Sequence, residues 1–290
     1  MPFTDGSNIV RFSEWVEKFD LSFAEIIVIH DGVDLKLREQ VRTITTESSV
    51  ARSFHLISTT RNPGGSRNLG LGLATGKWVH FCDFDDLLNL PVIVSSIESA
   101  PIDASVVVGQ FRKIDSISKR VTHASDDNSM TTLIREIGLW RCVFRFEVVK
   151  QHKFPESRMG EDQIFFLSIN PAKQKVWFVK AIFYDYFVSD PHQLTALHSN
   201  IPEIFKSIES SLTIELKDAS ESKIFFEILA RLMLTLMYKS KLSQPLRLVN
   251  LSRRIWKHSR NLDPMKKTAI TLRIFIYLVR EKMKWFSIIG

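Results

Sequence analysis

RNPGGSRNLGLGLATGKWVHFCDFDD, residues 61–86, is the stretch that decides the fold. A Gly-rich turn and a helix-like run of small residues lead into a short apolar strand from Lys77 to Cys82, typical of the centre of a parallel sheet. Asp83, Asp85 and Asp86 follow directly. Clustered carboxylates repel one another, and a hard divalent cation relieves that repulsion. Since open α/β sheets bind ligands at the carboxyl ends of their strands, we expect a site here, although Asp is also common in simple turns.

The elements around this stretch alternate between helices and strands. The sequence predicts helices over residues 8–19 and 91–100, and strands over 24–29, 54–58 and 104–109. Alternation of this kind predicts an α/β protein with a doubly wound, mostly parallel, Rossmann-like sheet. The opening residues, MPFTDG, read as the turn after a strand, so we expect either that the first strand is missing or that the first helix packs without such a strand.

The second half of the chain has a weaker pattern. Residues 112–130 are polar and predict a surface loop, residues 131–151 are helix-like and aromatic, and residues 175–188 contain two strand-like runs. The pattern is helical from about Ile201 onward. Residues 223–238 are apolar nearly all round, which predicts a helix buried against the sheet.

Positive charge is concentrated at the C-terminus. The 290 residues carry a net charge of +7, yet residues 239–290 hold 13 of the 39 Lys and Arg and only two of the 32 Asp and Glu. The final segment, residues 266–289, predicts an amphipathic helix with a basic face formed by Lys266, Arg273, Arg280 and Lys284. Such a block indicates an anionic partner, and a helix of this kind can lie on a membrane surface.

Other features bound the class of protein. The two cysteines form no disulfide framework and suit a reducing compartment. We expect no secretory signal, and the longest apolar run, near residues 274–279, is short of the ~20 residues that span a bilayer. A nucleic-acid partner is not expected, because the first 238 residues are net acidic. The spacing of Gly70, Gly72 and Gly76 differs from the dinucleotide fingerprint, which argues against a nicotinamide enzyme.

In order and spacing, the chain resembles the family 2 glycosyltransferases, inverting enzymes of the GT-A fold that use nucleotide sugars. The resemblance rests on EIIVIHDG (residues 25–32), the stretch at 61–86, MGEDQIFF (159–166) and SDPHQLT (189–195). It predicts a catalytic domain over residues 1–198, without its first strand, and a basic helical extension over 199–290.

The resemblance also implies roles for individual residues. The expected donor-binding residues are Pro2, Phe3, Asp31, Asn62, Arg67 and Asp83. Asp85, with Asp83, is expected to hold Mn²⁺ or Mg²⁺, and Asp162, with Glu161 beside it, to act as the general base. Read without the family, the last two are acids in the first turn of a helix, where the dipole favours anions. His30 departs from the family pattern by replacing the first of two acids, although a His can still hydrogen-bond a base.

The resemblance implies a metal-dependent transferase of the hexosyl type. Its donor would be a nucleotide sugar, with a UDP-sugar favoured, and its acceptor a glycan or lipid-linked hydroxyl. Envelope polysaccharide synthesis, of lipopolysaccharide or capsule, is the implied setting. We expect the protein in the cytoplasm, peripherally on the inner face of the cell membrane through its basic C-terminal helix. The alternative is a non-catalytic paralogue that serves as a scaffold or binds nucleotide sugars.

Overall fold

The computed structural model describes residues 2–3, 9–32, 34–124, 129–188, 201–239, 244–272 and 276. The first part alternates strands and helices: β1 (Pro2–Phe3), α1 (Ile9–Lys18), β2 (Glu25–Asp31), α2 (Leu35–Thr46), β3 (Arg52–Ser58) and α3 (Pro63–Leu73). The three strands form a parallel sheet in the order β1-β2-β3. The predicted α/β class is therefore confirmed in this half.

The first strand is present in part. Pro2 pairs with Ile29 and Phe3 with His30, in parallel register. The prediction that this strand is missing is wrong to that extent, because the residues read as a turn form the end of the strand. A proline at position 2 concealed it, since proline is uncommon within strands.

A second sheet follows. Its elements are β4 (Trp78–His80), β5 (Leu87–Leu88), α4 (Leu90–Ser99), β6 (Val106–Asp115), β7 (Val121–Ala124), α5 (Met130–Arg135), β8 (Cys142–Arg145), α6 (Phe146–Val149), α7 (Glu161–Ser168) and β9 (Val176–Val188). Six strands pair in the order β4-β8-β6-β9-β5, with β7 beside β6. The sheet is mixed: β6 and β9 run parallel to each other, and the other described pairs are antiparallel.

Three local predictions in this half are wrong. Residues 112–130 contain the end of β6 and all of β7, which form a hairpin around the turn at Asp115, whose side chain accepts from the backbone of Ile117 and Ser118. Residues 131–151 contain β8, whose partners β4 and β6 are distant in sequence. The two strand-like runs at 175–188 are one continuous strand, β9.

Helices complete the described chain: α8 (Ile201–Ser211), α9 (Ala219–Lys239), α10 (Pro245–His258) and a helix described over 264–272. The predicted burial of the helix at 223–238 is confirmed, since Phe225, Leu229 and Leu236 are fully buried. These helices share one hydrophobic core with β6, β8 and α7. In the part of the chain that the structure describes, no helix has the length and apolarity to span a bilayer. The domain boundary near residue 198 stays a prediction, because SDPHQLT and its neighbours lie outside the described residues.

Candidate active site

Helix α3 carries three consecutive polar residues, Ser66, Arg67 and Asn68, and the side chain of each binds a different part of the molecule. Ser66 donates to Asp31 at the end of β2 (3.1 Å). The amide of Asn68 donates to the carbonyl of Phe154 (2.9 Å), and its oxygen accepts from the backbone amide of Phe154 (2.8 Å). Arg67 lies between them, so these two contacts fix the helix that carries it.

Arg67 binds carboxylates from two other elements. One of its terminal nitrogens, Nη1, donates to Glu161 Oε1 (2.8 Å) and Asp162 Oδ1 (2.9 Å), and Nη2 donates to Asp83 Oδ1 (2.9 Å). The Arg67 side chain is only 6% exposed. Burial lowers the pKa of Arg67, but Asp162, Asp83 and Glu161 raise it further, so that the net pKa lies above the usual value and the guanidinium stays charged. The structure thus joins four of the predicted site residues through one cation.

Asp162 has the electrostatics of a proton acceptor. Burial, with Glu161 and Asp83 nearby, raises its pKa to about 8 although Arg67 acts in the opposite direction. A carboxylate with a pKa near the working pH can take a proton from a hydroxyl and release it again. Glu161 and Asp162 do lie in the first turn of a helix, as predicted, and Gly160 precedes them with a φ of 83° that only glycine adopts easily.

Asp31 and Asn62 are held by the Gly-rich turn. Asp31 is buried and accepts from the backbone amide of Arg61 (2.9 Å) through Oδ1 and from Ser66 through Oδ2. Asn62 caps α3, with its side-chain oxygen accepting from the backbone amide of Gly65 (2.6 Å). Their roles in donor binding stay predictions, since the structure shows the contacts that orient them.

The glycines of this turn permit close packing. A Cβ on Gly64 would lie 2.1 Å from the carbonyl oxygen of Pro155, and one on Gly65 would lie 2.8 Å from Thr60 Oγ1. The start of α3 therefore packs directly against the loop that leads to α7. This contact brings the two halves of the site together.

The acids after β4 point in different directions. Asp83 is partly exposed and binds Arg67, whereas Asp86 is buried and accepts from Tyr184 Oη (2.8 Å) and the backbone amide of Phe187 (2.8 Å). Burial, with Asp85 and Asp83 nearby, raises the pKa of Asp86. Asp86 thus anchors the loop to β9, which leaves the partly exposed Asp83 and Asp85 as candidate ligands.

Asp83 and Asp85 are the acids after β4 that could bind a divalent cation. Among the described residues, no group of three His, Cys, Asp or Glu side chains could hold a metal ion. Mg²⁺ in nucleotide sites is commonly held by one or two carboxylates together with substrate phosphates and water. Two acids on one loop fit that pattern, and Asp85 and Asp83 are the residues that would hold the ion.

Some residues singled out in the sequence lie away from Arg67 and its three carboxylates. His30 is buried and contacts His55 (Nε2 to Nδ1, 3.0 Å), which in turn contacts Thr45 on α2, so it packs under that helix. Pro2 lines the cavity beside Arg67, and the Phe3 side chain lies outside the described part. Sequence reasoning missed Asn68 and Tyr184. Asn68 directly follows Arg67, a predicted donor-binding residue, which was a local signal for it, whereas no local signal marked Tyr184.

Comparisons with known proteins identify the family and the fold. The family model described as Glycosyl transferase family 2 matches residues 7–157. Among solved structures, S. aureus TarS 1–349 in complex with UDP-GlcNAc is similar, with a TM-score of 0.70, 17% identity, and 93% of this chain and 82% of that chain covered.

A second similar structure is the mannosyltransferase PcManGT from Pyrobaculum calidifontis in complex with GDP-Man and Mn²⁺, with a TM-score of 0.56, 12% identity, and 99% and 81% coverage. No curated protein matches the chain by sequence. These structural likenesses confirm the predicted GT-A fold. Because the family model matches more than half of this chain, the chain belongs to glycosyl transferase family 2.

Proposed function

We propose that this chain is an inverting glycosyltransferase that moves a hexosyl group from a nucleoside diphosphate sugar to a hydroxyl of a glycan or lipid-linked acceptor. The observation that carries the proposal is the contact of Arg67 with both Asp83 and Asp162. Asp83, the proposed donor-side acid, and Asp162, the proposed base, bind different terminal nitrogens of one buried guanidinium. A single displacement across such a site inverts the anomeric centre.

Asp162 is proposed to take the proton of the attacking hydroxyl. Its raised pKa gives it the affinity for a proton that this step needs. Arg67 holds the side chain in place and keeps the charge of the ionised carboxylate compensated. Glu161 shares the same guanidinium nitrogen and so fixes the position of Arg67.

On the donor side, the leaving group is a nucleoside diphosphate that gains negative charge. A divalent cation, Mn²⁺ or Mg²⁺, supplies charge stabilisation when bound. Asp85 and Asp83 would hold it, and Asp31 would receive the base of the nucleotide. The UDP-GlcNAc complex of TarS favours a UDP-sugar, while the GDP-Man and Mn²⁺ complex of the mannosyltransferase supports a metal-dependent donor site.

The acceptor is proposed to be linked to a membrane. The outer face of α10 carries the exposed cations Arg253, Arg254 and Lys257 together with Leu246 and Trp256, which are 86% and 41% exposed. Basic and aromatic side chains on one surface favour contact with anionic lipid headgroups. This surface supports a peripheral position on the inner face of the cell membrane and a role in lipopolysaccharide or capsule synthesis. Of the basic face predicted from Lys266 onward, only Lys266 lies within the described residues.

The proposal is tested with a panel of UDP-, GDP- and dTDP-sugars, with and without Mn²⁺. A donor that binds the folded state raises its midpoint of thermal unfolding, and we expect a UDP-sugar to do so only with the cation. Asp85→Ala should abolish turnover and this shift, whereas Asp103→Ala, which removes an exposed acid just before the start of β6, should change neither. Full activity in excess chelator contradicts metal dependence. Donor binding without any turnover supports the scaffold alternative instead.

A further inference from the structure

Residues 83–88, here called the acid loop, alternate between buried and partly exposed side chains. Phe84 and Asp86 are buried. Asp83 and Asp85, the proposed cation ligands, are partly exposed. The buried side chains fix the loop to the rest of the chain, so the orientation of the two ligands depends on the contacts that hold the loop around them.

Helix α1 contacts the acid loop at three points. The rings of Phe12 and Phe84 stack, with their centroids 4.1 Å apart. Trp15 Nε1 donates a hydrogen bond to the carbonyl oxygen of Leu88 (3.1 Å). The third contact comes from Arg11, and it is the contact that reaches a proposed cation ligand.

Arg11 binds the backbone of Asp85 and the ring of Phe187 at the same time. Its Nη1 donates to the carbonyl oxygen of Asp85, and its guanidinium carbon lies 3.6 Å from the centre of the Phe187 ring. A planar guanidinium can stack on an aromatic ring while its nitrogens donate hydrogen bonds. Phe187 belongs to β9, and its backbone amide donates to Asp86. Arg11 thus joins α1, the acid loop and β9 around Asp85.

Arg11 also brings positive charge to a segment rich in acids. Residues 83–86 contain three carboxylates, and carboxylates this close together repel one another. Arg67 binds Asp83, and Arg11 provides a second guanidinium at Asp85. With both guanidiniums in place, less of the loop has to be ordered when a cation and a nucleotide bind, and such pre-organisation strengthens binding.

We propose that Arg11 is a positioning residue that holds Asp85 in the orientation required by a divalent cation and the donor diphosphate. The inference rests on the proposed function and assigns a role to a residue of α1, outside the two motifs that supply the acids. A guanidinium cannot itself bind a cation, so Arg11 acts through Asp85. Groups that orient a metal ligand in this way typically contribute about 10–100-fold to metal affinity.

The test measures Mn²⁺ binding without turnover, from the electron paramagnetic resonance signal of the free ion. It is done with UDP or GDP, whichever tightens Mn²⁺ binding to the wild type. We expect Arg11→Gln to raise the Mn²⁺ dissociation constant at least about 10-fold. Arg11→Lys should recover only part of this loss, because a lysine keeps the charge but not the planar group.

Lys119→Gln is the matched control for charge. The Lys119 ammonium is exposed and also lies over the Phe187 ring, at 5.9 Å from its centre. Its removal changes the net charge by the same amount as Arg11→Gln but keeps the hydrogen bond to the Asp85 carbonyl. We expect the Mn²⁺ dissociation constant to stay nearly unchanged, because exposed charges are screened by salt.

Trp15→Phe is the control for a purely structural role. It removes another hydrogen bond from α1 to the acid loop, at Leu88, and should lower the midpoint of urea denaturation without weakening Mn²⁺ binding. Amide hydrogen exchange of residues 84–86 should be at least about 5-fold faster in Arg11→Gln than in the wild type. Unchanged Mn²⁺ affinity in Arg11→Gln, or an equal loss of affinity in either control, would overturn the proposal.

The same measurements separate this inference from the proposed function. If the wild type binds Mn²⁺ and a nucleotide but transfers no sugar, the proposed function is refuted, and a loss of affinity confined to the Arg11 variants still supports the positioning role. If sugar transfer depends on Mn²⁺ but not on Arg11, only the positioning role is overturned. A wild type that binds no Mn²⁺ with either nucleotide would overturn both.

Discussion

The two sheets contribute residues to the same site but differ in how their strands pair. In the three-stranded sheet each strand pairs with the next strand along the chain, and all pairs are parallel. In the six-stranded sheet the pairings join distant segments, such as Trp78 with Arg145 and Val106 with Val176. The first sheet thus follows from local βα units, and the second depends on long-range contacts. Arg67 belongs to the first half and binds acids of the second. Variants of Arg67 therefore test how strongly the two halves depend on each other.

Replacing Arg67 should have the largest effect. Arg67→Ala leaves Asp83, Glu161 and Asp162 close together without their cation, which is expected to lower the free energy of unfolding by about 3–5 kcal/mol. Urea denaturation measures the change. Arg112→Ala is the matched control, since Arg112 binds Asp185 but is 42% exposed. Loss of the Arg112–Asp185 ion pair should lower the free energy of unfolding by under about 1 kcal/mol.

Arg67→Lys separates the effect of the charge from the effect of the shape of the guanidinium. A lysine keeps the charge but lacks the planar fork that reaches both sides of the site. We expect it to recover part of the stability and little of the turnover. Equal stability losses for Arg67→Ala and Arg112→Ala would show that the two halves hold together without this bridge.

Asp162→Asn should separate chemistry from stability. The amide keeps the shape of the side chain but cannot accept a proton, so turnover is expected to fall by ~10²–10⁴ while the donor dissociation constant stays close to that of the wild type. Steady-state kinetics and donor titration measure the two quantities. Glu161→Gln is the matched control on the same guanidinium. A larger loss of turnover in that variant would assign the base to Glu161.

The pH dependence follows from the same residue. Only the ionised carboxylate accepts a proton, and the pKa of Asp162 is raised to about 8. The turnover of the wild type should therefore rise with pH and level off above about 8. Asp162→Asn should lose this limb of the profile. A wild-type profile that is flat from pH 6 to 9 would contradict the assignment.

The same difference between the sheets decides what the sequence could predict. The stretch at 61–86 and MGEDQIFF are short motifs with local spacing, and they singled out Arg67 together with the three carboxylates that bind it in the structure, Asp83, Glu161 and Asp162. Strand β8 was missed because a short apolar aromatic run suits a helix or a strand, and its partners are distant in sequence. The inward turn of Asp86 was not predictable, since it depends on Tyr184 about 100 residues further on.

His30 and His55, which contact each other on β2 and β3, allow the stability of the three-stranded sheet to be tested separately. Burial lowers the pKa of His30 to about 4 and also lowers that of His55. A histidine whose folded pKa lies below the unfolded value of about 6.5 contributes its full stability above that pH and loses it as the pH falls toward 4. Folding stability should thus decline by up to about 3 kcal/mol between pH 6.5 and 4.

His30→Asn should reduce this decline, as measured by urea denaturation at several pH values. Because the two rings contact each other, His55→Asn should remove the same coupling, and the double variant should lose less than the sum of the single variants. Additive effects, or an unchanged slope in His30→Asn, would show that the acid sensitivity arises elsewhere.

The smallest expected effect concerns the surface of α10, far along the chain from both sheets. Its cations Arg253 and Arg254 are exposed, and each charge near an anionic membrane contributes ~1 kcal/mol. Reversing both to glutamate should lower binding to anionic vesicles by at least about 30-fold at low salt, as measured by sedimentation, because the lost attraction alone is about 2 kcal/mol. Point reversals are preferable to truncation at residue 259, because Ile270 beyond it is buried in the core.

Lys18→Glu with Lys36→Glu is the matched control, since these exposed lysines lie on α1 and α2 of the first half. If binding depends on the α10 surface, this control should lose far less than the α10 pair. If instead the two double variants lose equal amounts, only net charge matters and the surface of α10 has no special role. A wild-type chain that stays in the supernatant at low salt would leave those cations as a solvated face, and the acceptor would then be a soluble glycan.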